Sequence, residues 1–210
     1  MTKTQPGGWD RRDFLGGAAL LALVIGVPFA ALRLSDLPAD LVPTARQRGL
    51  MKEVSQLVIP RTGTAGAGEV GTGDFVILAL AHGLEKSRAV LPRDAAQALK
   101  AHRRADGSLD HARWLEAELD GRAGGDFLKL GPAERTAALT ALDAEAFADG
   151  ADQHPWRTVK ALVLTGYYTS EVGGSQELRF ELVPGRYDPD LPVTPQTRAY
   201  SSDWTAVDFG

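Results

Sequence analysis

The chain has 210 residues, of which 44% are hydrophobic and 24% charged, with a formal net charge of −4 from 23 basic and 27 acidic side chains. These proportions suit one globular domain with an appended segment, and they exclude wholesale disorder, a polytopic membrane protein and a collagen-like fibre. The lack of cysteine removes disulfides, thiolate-held zinc, cysteine-ligated iron–sulfur clusters, covalently attached haem c and a thiol nucleophile from this chain, and the acidic balance offers no basic field for nucleic acid.

A polar start leads into Trp9-Asp10-Arg11-Arg12-Asp13-Phe14-Leu15, and the sequence then runs uncharged to Leu32, where Arg33 closes it. An uncharged run holding Gly16, Gly17, Gly26 and Pro28 has no polar face to show water, which argues against an amphipathic surface helix. Arg11 and Arg12, followed by Phe14, Leu15 and the apolar run, resemble a twin-arginine export signal. That resemblance implies passage through the twin-arginine translocase, which moves folded cargo, to the periplasm. Phe14 to Leu32 also approaches the roughly 20 residues that span a bilayer, so an uncleaved signal would attach the protein to the inner membrane. Candidate ends at Ala30 and Ala31 put Pro28 or Phe29 where a small residue is wanted, and cleavage stays open at this point. Residues 1–34 are read as signal peptide or anchor, and 35–43, punctuated by Pro38 and Pro43, as a linker.

From 44 to 169 the pattern is mainly α, a small helical domain whose helices are separated by glycine-rich turns. Thr44 can cap a helix through Ile59 with Leu50, Met51, Val54, Leu57 and Val58 on one face, and Pro60 stops it. Arg61 to Gly68, with Gly63, Gly66, Gly68, Thr62 and Thr64, favours a loop. Asp74 to Leu84 is apolar all round and reads as a buried helix. Pro92 suits the first position of a helix reaching about Ala105, with Asp94 at the positive end of its dipole, before Asp106-Gly107-Ser108 turns the chain. Leu109 to Leu119 and Ala133 to Phe147 are rich in good helix formers, the second restarting at Pro132 after a glycine cluster. Pro155 opens another helix, with Val159, Leu162, Val163 and Tyr167 as its apolar stripe. Beyond Thr169 no period is sustained. Residues 170–210 are expected to form an extended, irregular tail, with at most a short hairpin around Leu178 to Val183, that lies across its own core or a partner.

The chemistry-bearing residues are sparse. His82, His102, His111 and His154 are the only histidines, and no two share the spacing that puts a pair of ligands on one helix face. His82 reads as a core or interface histidine. Ser170 and Glu171 have no base at a recognisable spacing and read as a helix terminus. Gly63, Gly66, Gly68, Gly71 and Gly73 lack the spacing and lysine of a phosphate cradle, which leaves a flexible or partner-bound loop. No catalytic, cofactor-binding or metal-binding residue is assigned.

Three stretches carry a family resemblance. Ile59-Pro60-Arg61-Thr62-Gly63-Thr64-Ala65-Gly66-Ala67 is followed by Asp74-Phe75 at the head of an apolar helix. Leu164-Thr165-Gly166-Tyr167-Tyr168-Thr169-Ser170-Glu171-Val172-Gly173 and Val183-Pro184-Gly185-Arg186-Tyr187-Asp188 come later. Together, over about Thr44 to Pro192, they resemble the small subunit, subunit 3 or gamma, of the gluconate 2-dehydrogenase family, with Ala65 and Tyr168 standing where many relatives carry Pro and Phe. The resemblance implies a non-catalytic subunit of a membrane-bound, FAD-dependent sugar, sugar-acid or polyol dehydrogenase. Its role would be maturation, export and stability of the large subunit, a flavoprotein of the glucose-methanol-choline type. FAD would reside in that partner and haem c in a possible cytochrome c subunit that takes the electrons, with no cofactor in this chain. Tyr, Trp and Arg join large apolar area to a hydrogen-bonding end. Tyr167, Tyr168, Arg179, Arg186, Tyr187 and Trp204 are therefore the expected partner interface, although Tyr167 could equally finish a core helix. Two alternatives stand beside this one: a membrane-anchored periplasmic structural protein without a redox partner, and a lone enzyme centred on Ser170 and Glu171.

Overall fold

Among the residues that the computed structural model describes, 33–180, 190, 192–195 and 197–201, six α-helices follow one another. They are α1 (Ala45–Val58), α2 (Thr72–His82), α3 (Gln97–Lys100), α4 (His111–Ala123), α5 (Pro132–Ala146) and α6 (Pro155–Tyr168). Arg11, Arg12, Phe14 and Leu15 of the expected export signal, and Arg186, Tyr187 and Trp204 of the expected interface, lie outside the described residues.

Helix starts follow local chemistry. Thr44 Oγ1 accepts the Gln47 N–H at 3.1 Å while Gln47 Oε1 accepts the Thr44 N–H at 3.0 Å, a reciprocal cap that satisfies two donors no helical carbonyl can reach. Asp110 caps α4 through the Arg113 N–H, and His154 Nδ1 accepts the Trp156 N–H ahead of the Pro155 start of α6. α2 stops at Gly83, whose φ of +86° suits glycine, two residues short of the expected end at Leu84.

α2 is the central helix: Phe75 to Leu80 are all buried, and it packs against both α1 and α6. Around it α1 contributes Leu50, Met51 and Val54, α4 contributes Trp114, Leu115 and Leu119, and α6 contributes Trp156, Val159, Leu162 and Val163, with Phe127 from the α4–α5 connection. Each such side chain contributes roughly 1.5–3 kcal/mol on burial. Polar clamps close the edges. Arg46 of α1 donates to Glu116 and, at 2.8 and 2.9 Å, to Asp120 and Asp126, while Asp143 of α5 accepts both Trp156 Nε1 and Lys160 Nζ at 2.7 Å.

Four expectations are corrected. The helix predicted from Pro92 to about Ala105 shrinks to the single turn of α3; of its apolar positions only Ala95 and Leu99 are even half-buried, and a helix without a packed face is marginal in water. Its neighbours instead bond backbone to backbone across the turn, Arg104 N–H to Ser108 O at 2.8 Å and Leu91 N–H to Gly107 O at 2.9 Å. Of the two readings of His82, core or interface, the core one is corrected: it is exposed at the end of α2. The irregular tail does not begin at Ser170, because Val172–Glu177 forms a π-helix. Last, the short sheet is not a hairpin: β1 (Arg179–Phe180) pairs in parallel with β2 (Tyr200–Ser201), Arg179 opposite Tyr200, and parallel neighbours need a crossover rather than a tight turn. Among the described residues no helix is long and apolar enough to cross a membrane, and Phe14 to Leu32 lies outside them.

Candidate interaction site

The glycine-rich stretch between α1 and α2 and the far end of α6 are distant in sequence but meet at one end of the bundle. Pro60 ends α1, and the chain returns to it when the Ala67 N–H donates to Ile59 O at 2.9 Å. Glu69 accepts the Gly66 N–H and Arg61 Nη2, each at 2.8 Å, and Gln56 Oε1 accepts the Gly68 N–H at 3.0 Å. The Arg61 guanidinium, with the Gly66 N–H behind it, holds the Glu69 carboxyl below its usual pKa. At Gly73 a Cβ would lie 2.7 Å from Lys52 N, so the start of α2 touches the α1 backbone itself. Backbone groups satisfied in this way, with helices in direct contact, describe a held loop. Of the two readings, flexible or partner-bound, the flexible one is corrected.

The end of α6 locks onto that loop. Tyr167 is 1% exposed, and its Oη donates to Ala65 O at 3.0 Å and lies 3.3 Å from Thr64 Oγ1. The Thr64 hydroxyl in turn donates to the Glu177 carboxylate in the π-helix. Ser170 Oγ donates to Tyr167 O at 2.6 Å and accepts the Gly173 N–H at 3.1 Å, the helix-terminus role read from the sequence. A Cβ on Gly173 would sit 2.0 Å from Tyr167 O, so that the π-helix can fold back over α6 only because residue 173 has no side chain. Thr64 and Glu177 were not singled out from the sequence. A threonine in a glycine-rich loop and a glutamate in a polar stretch look like solvated residues until the fold brings them together.

The described interface candidates divide. Tyr167 belongs to the core and is corrected as a surface residue; Tyr168 is 39% exposed and stacks edge-on against Tyr167 with 5.2 Å between ring centroids. Leu164, one helical turn before it, is equally exposed, so the two form an outward apolar step on α6. Arg179 is exposed at β1 and lies over the Tyr200 ring at 5.3 Å. Arg198 Nε donates to Glu177 O at 3.1 Å and ties the approach to β2 to the same π-helix. Among the described residues no three His, Asp or Glu side chains gather as a metal site. This end of the molecule therefore exposes Leu164, Tyr168, Arg179 and Tyr200, chemistry suited to docking a protein face.

A family model described as gluconate 2-dehydrogenase subunit 3 matches residues 45–185, a span that takes in the held loop, α6 and the π-helix. Neither the curated proteins nor the solved structures gave a match.

Proposed function

The chain belongs to the gluconate 2-dehydrogenase subunit 3 family, and from that premise we propose that it is the non-catalytic small subunit of an FAD-dependent sugar or sugar-acid dehydrogenase. In this reading it binds a flavoprotein of the glucose-methanol-choline type, supports its maturation and stability, and carries it to the periplasm by the twin-arginine route. Electrons from the partner's FAD pass to a cytochrome c bearing haem c. The observation that supports this reading best is the use of the motif residues. Motif residues Tyr167 and Thr64 bond to each other, to the Ala65 backbone and to Glu177 beyond the motif, and the same scaffold turns Leu164 and Tyr168 outward. Motif chemistry directed inward with apolar area directed outward suits a docking platform, and an obligate interface of that kind buries roughly 2,000 Å² or more.

A native purification of the tagged chain tests it. Flavin absorbance in the purified material, with sugar-dependent dye reduction, is the expected result. A colourless single-chain preparation would overturn the reading in favour of the structural protein without a redox partner. A chain cut after Val183 sharpens the result: it should keep its helical signal yet no longer bring down the flavoprotein.

A further inference from the structure

The end of α6 remote from Tyr168 has a different character. There the chain between α2 and α4 folds back over Pro155 and leaves a cleft of about 340 Å³. Val90, Leu91, Leu99, Leu109 and Pro155 line it, and the exposed Lys86 and Asp94 stand at its rim. One polar ring belongs to its wall. His111 is 8% exposed, and its Nδ1 lies 3.2 Å from Leu109 O. A carbonyl oxygen only accepts, so Nδ1 carries the proton and donates. Burial holds the imidazole down at about 4, so the ring is neutral and Nε2 presents a lone pair. No described residue donates to Nε2, and it is not among the sealed, partnerless atoms, which include His102 Nδ1. Ser87, whose Oγ is already donated to Leu80 O, the exposed Gln153 and the half-buried Thr158 also border the cleft, but His111 is its one buried, oriented ring acceptor among aliphatic side chains, which favours a ligand that is apolar over most of its surface and carries a donor.

We propose that this cleft binds a compact apolar group tipped by one hydrogen-bond donor, a phenol or an indole, whose O–H or N–H is donated to His111 Nε2. The ring of that group rests on Leu91, Leu99 and Leu109. The site stands apart from the docking platform, about 20 Å away at 1.5 Å per residue along α6, and does not depend on the accessory-subunit reading. The shared chemistry has two sources, a free aromatic molecule or a tyrosine or tryptophan side chain of a partner chain.

The test titrates p-cresol, indole and 4-methylanisole into the full chain labelled with ¹⁵N-histidine. p-Cresol should shift the His111 imidazole resonances saturably and bind about fivefold more tightly than its methyl ether, the effect of one net hydrogen bond. His111→Phe should make the two ligands equal. Leu99→Trp, which fills the cleft from a half-buried position, should abolish binding of both while the helical circular dichroism is unchanged. Equal affinity of p-cresol and 4-methylanisole for the unaltered chain, or binding that survives Leu99→Trp, would overturn the proposal even if His111→Phe failed to fold. The same titration on the native complex then identifies the source: unchanged affinity marks a free ligand, and loss of the p-cresol shift marks a partner side chain already seated.

Discussion

The two ends of α6 show how differently one small helical domain can be finished. At the Tyr168 end, α2 approaches α1 to backbone contact at Gly73, and the loop and π-helix are joined through Thr64, Tyr167 and Glu177. At the Pro155 end, residues 84–110 cross the surface with only a short 3-10 turn and the single turn of α3, and Glu85 and Lys86 sit at positive φ. Isolated bridges pair Val90 with Ser108 and Arg103 with Leu109, and ion pairs join Arg88 to Asp106 and Arg104 to Asp110. Small residues let the first end close completely. The second, held by scattered backbone bonds and charges, leaves a cleft. Closure makes a platform and incomplete closure makes a pocket, which places the proposed docking surface and the proposed ligand site at opposite ends.

Stability measurements can break that contrast. The largest expected effect is at the closed end: Gly73→Ala places a methyl group against the Lys52 and Met51 backbone and should cost about 3 kcal/mol in urea unfolding, the upper range for overpacking. A loss below about 1 kcal/mol would show that the two helices separate easily. Next comes His111 at the open end. Burial lowers its pKa from an ordinary 6.5 to about 4, so as pH falls the unfolded chain takes up the proton first. Its contribution to stability is therefore level above about pH 6.5 and falls from there toward about pH 4, with about 2 kcal/mol lost by pH 5. Arg104 and Asp110 act on the ring with opposite signs. Unfolding at pH 8 and pH 5 checks this, and His111→Gln should remove that share of the pH dependence.

Smaller effects sharpen the comparison. Tyr167→Phe keeps the buried ring but strips Ala65 O of its donor, for a loss of about 1 kcal/mol. Proteolysis of the loop at residues 61–68 should accelerate in the same variant if the Tyr167 hydroxyl holds it. At the open end, Arg88→Met removes a partly exposed ion pair with Asp106 and should shift stability by less than about 1 kcal/mol. A larger loss there would mean that charges, and not only backbone bridges, hold residues 84–110 over the cleft.

Much of this was legible in the residues. Thr44, Pro132, Pro155 and the unbroken apolar run from Phe75 mark helices by chemistry that acts within a few residues. All of those helices form, to within two residues of their expected ends apart from the longer C-terminal end of α4 at Ala123. The segment after Pro92 misled for a physical reason. Its propensity is helical, but propensity without a face to bury does not sustain a helix, and burial is a property of the neighbours. Tyr167 was ambiguous for a similar reason: a tyrosine at the end of an apolar stripe serves the core or the surface depending on what stands over its hydroxyl. Here that is Ala65, brought in from the other side of the domain.

The sequence by itself determined the helical class, the helix starts at Thr44, Pro132 and Pro155, the stop at Pro60, the glycine-rich loop and the family, because each rests on local pattern or on motifs readable in order. Only the tertiary structure decided that the loop is held, that Tyr167 points inward while Tyr168 points outward, that Thr64 and Glu177 belong to one network, and that His111 faces a cleft. Those outcomes depend on groups far apart in the chain, whose meeting is set by helix packing and by where backbones can touch.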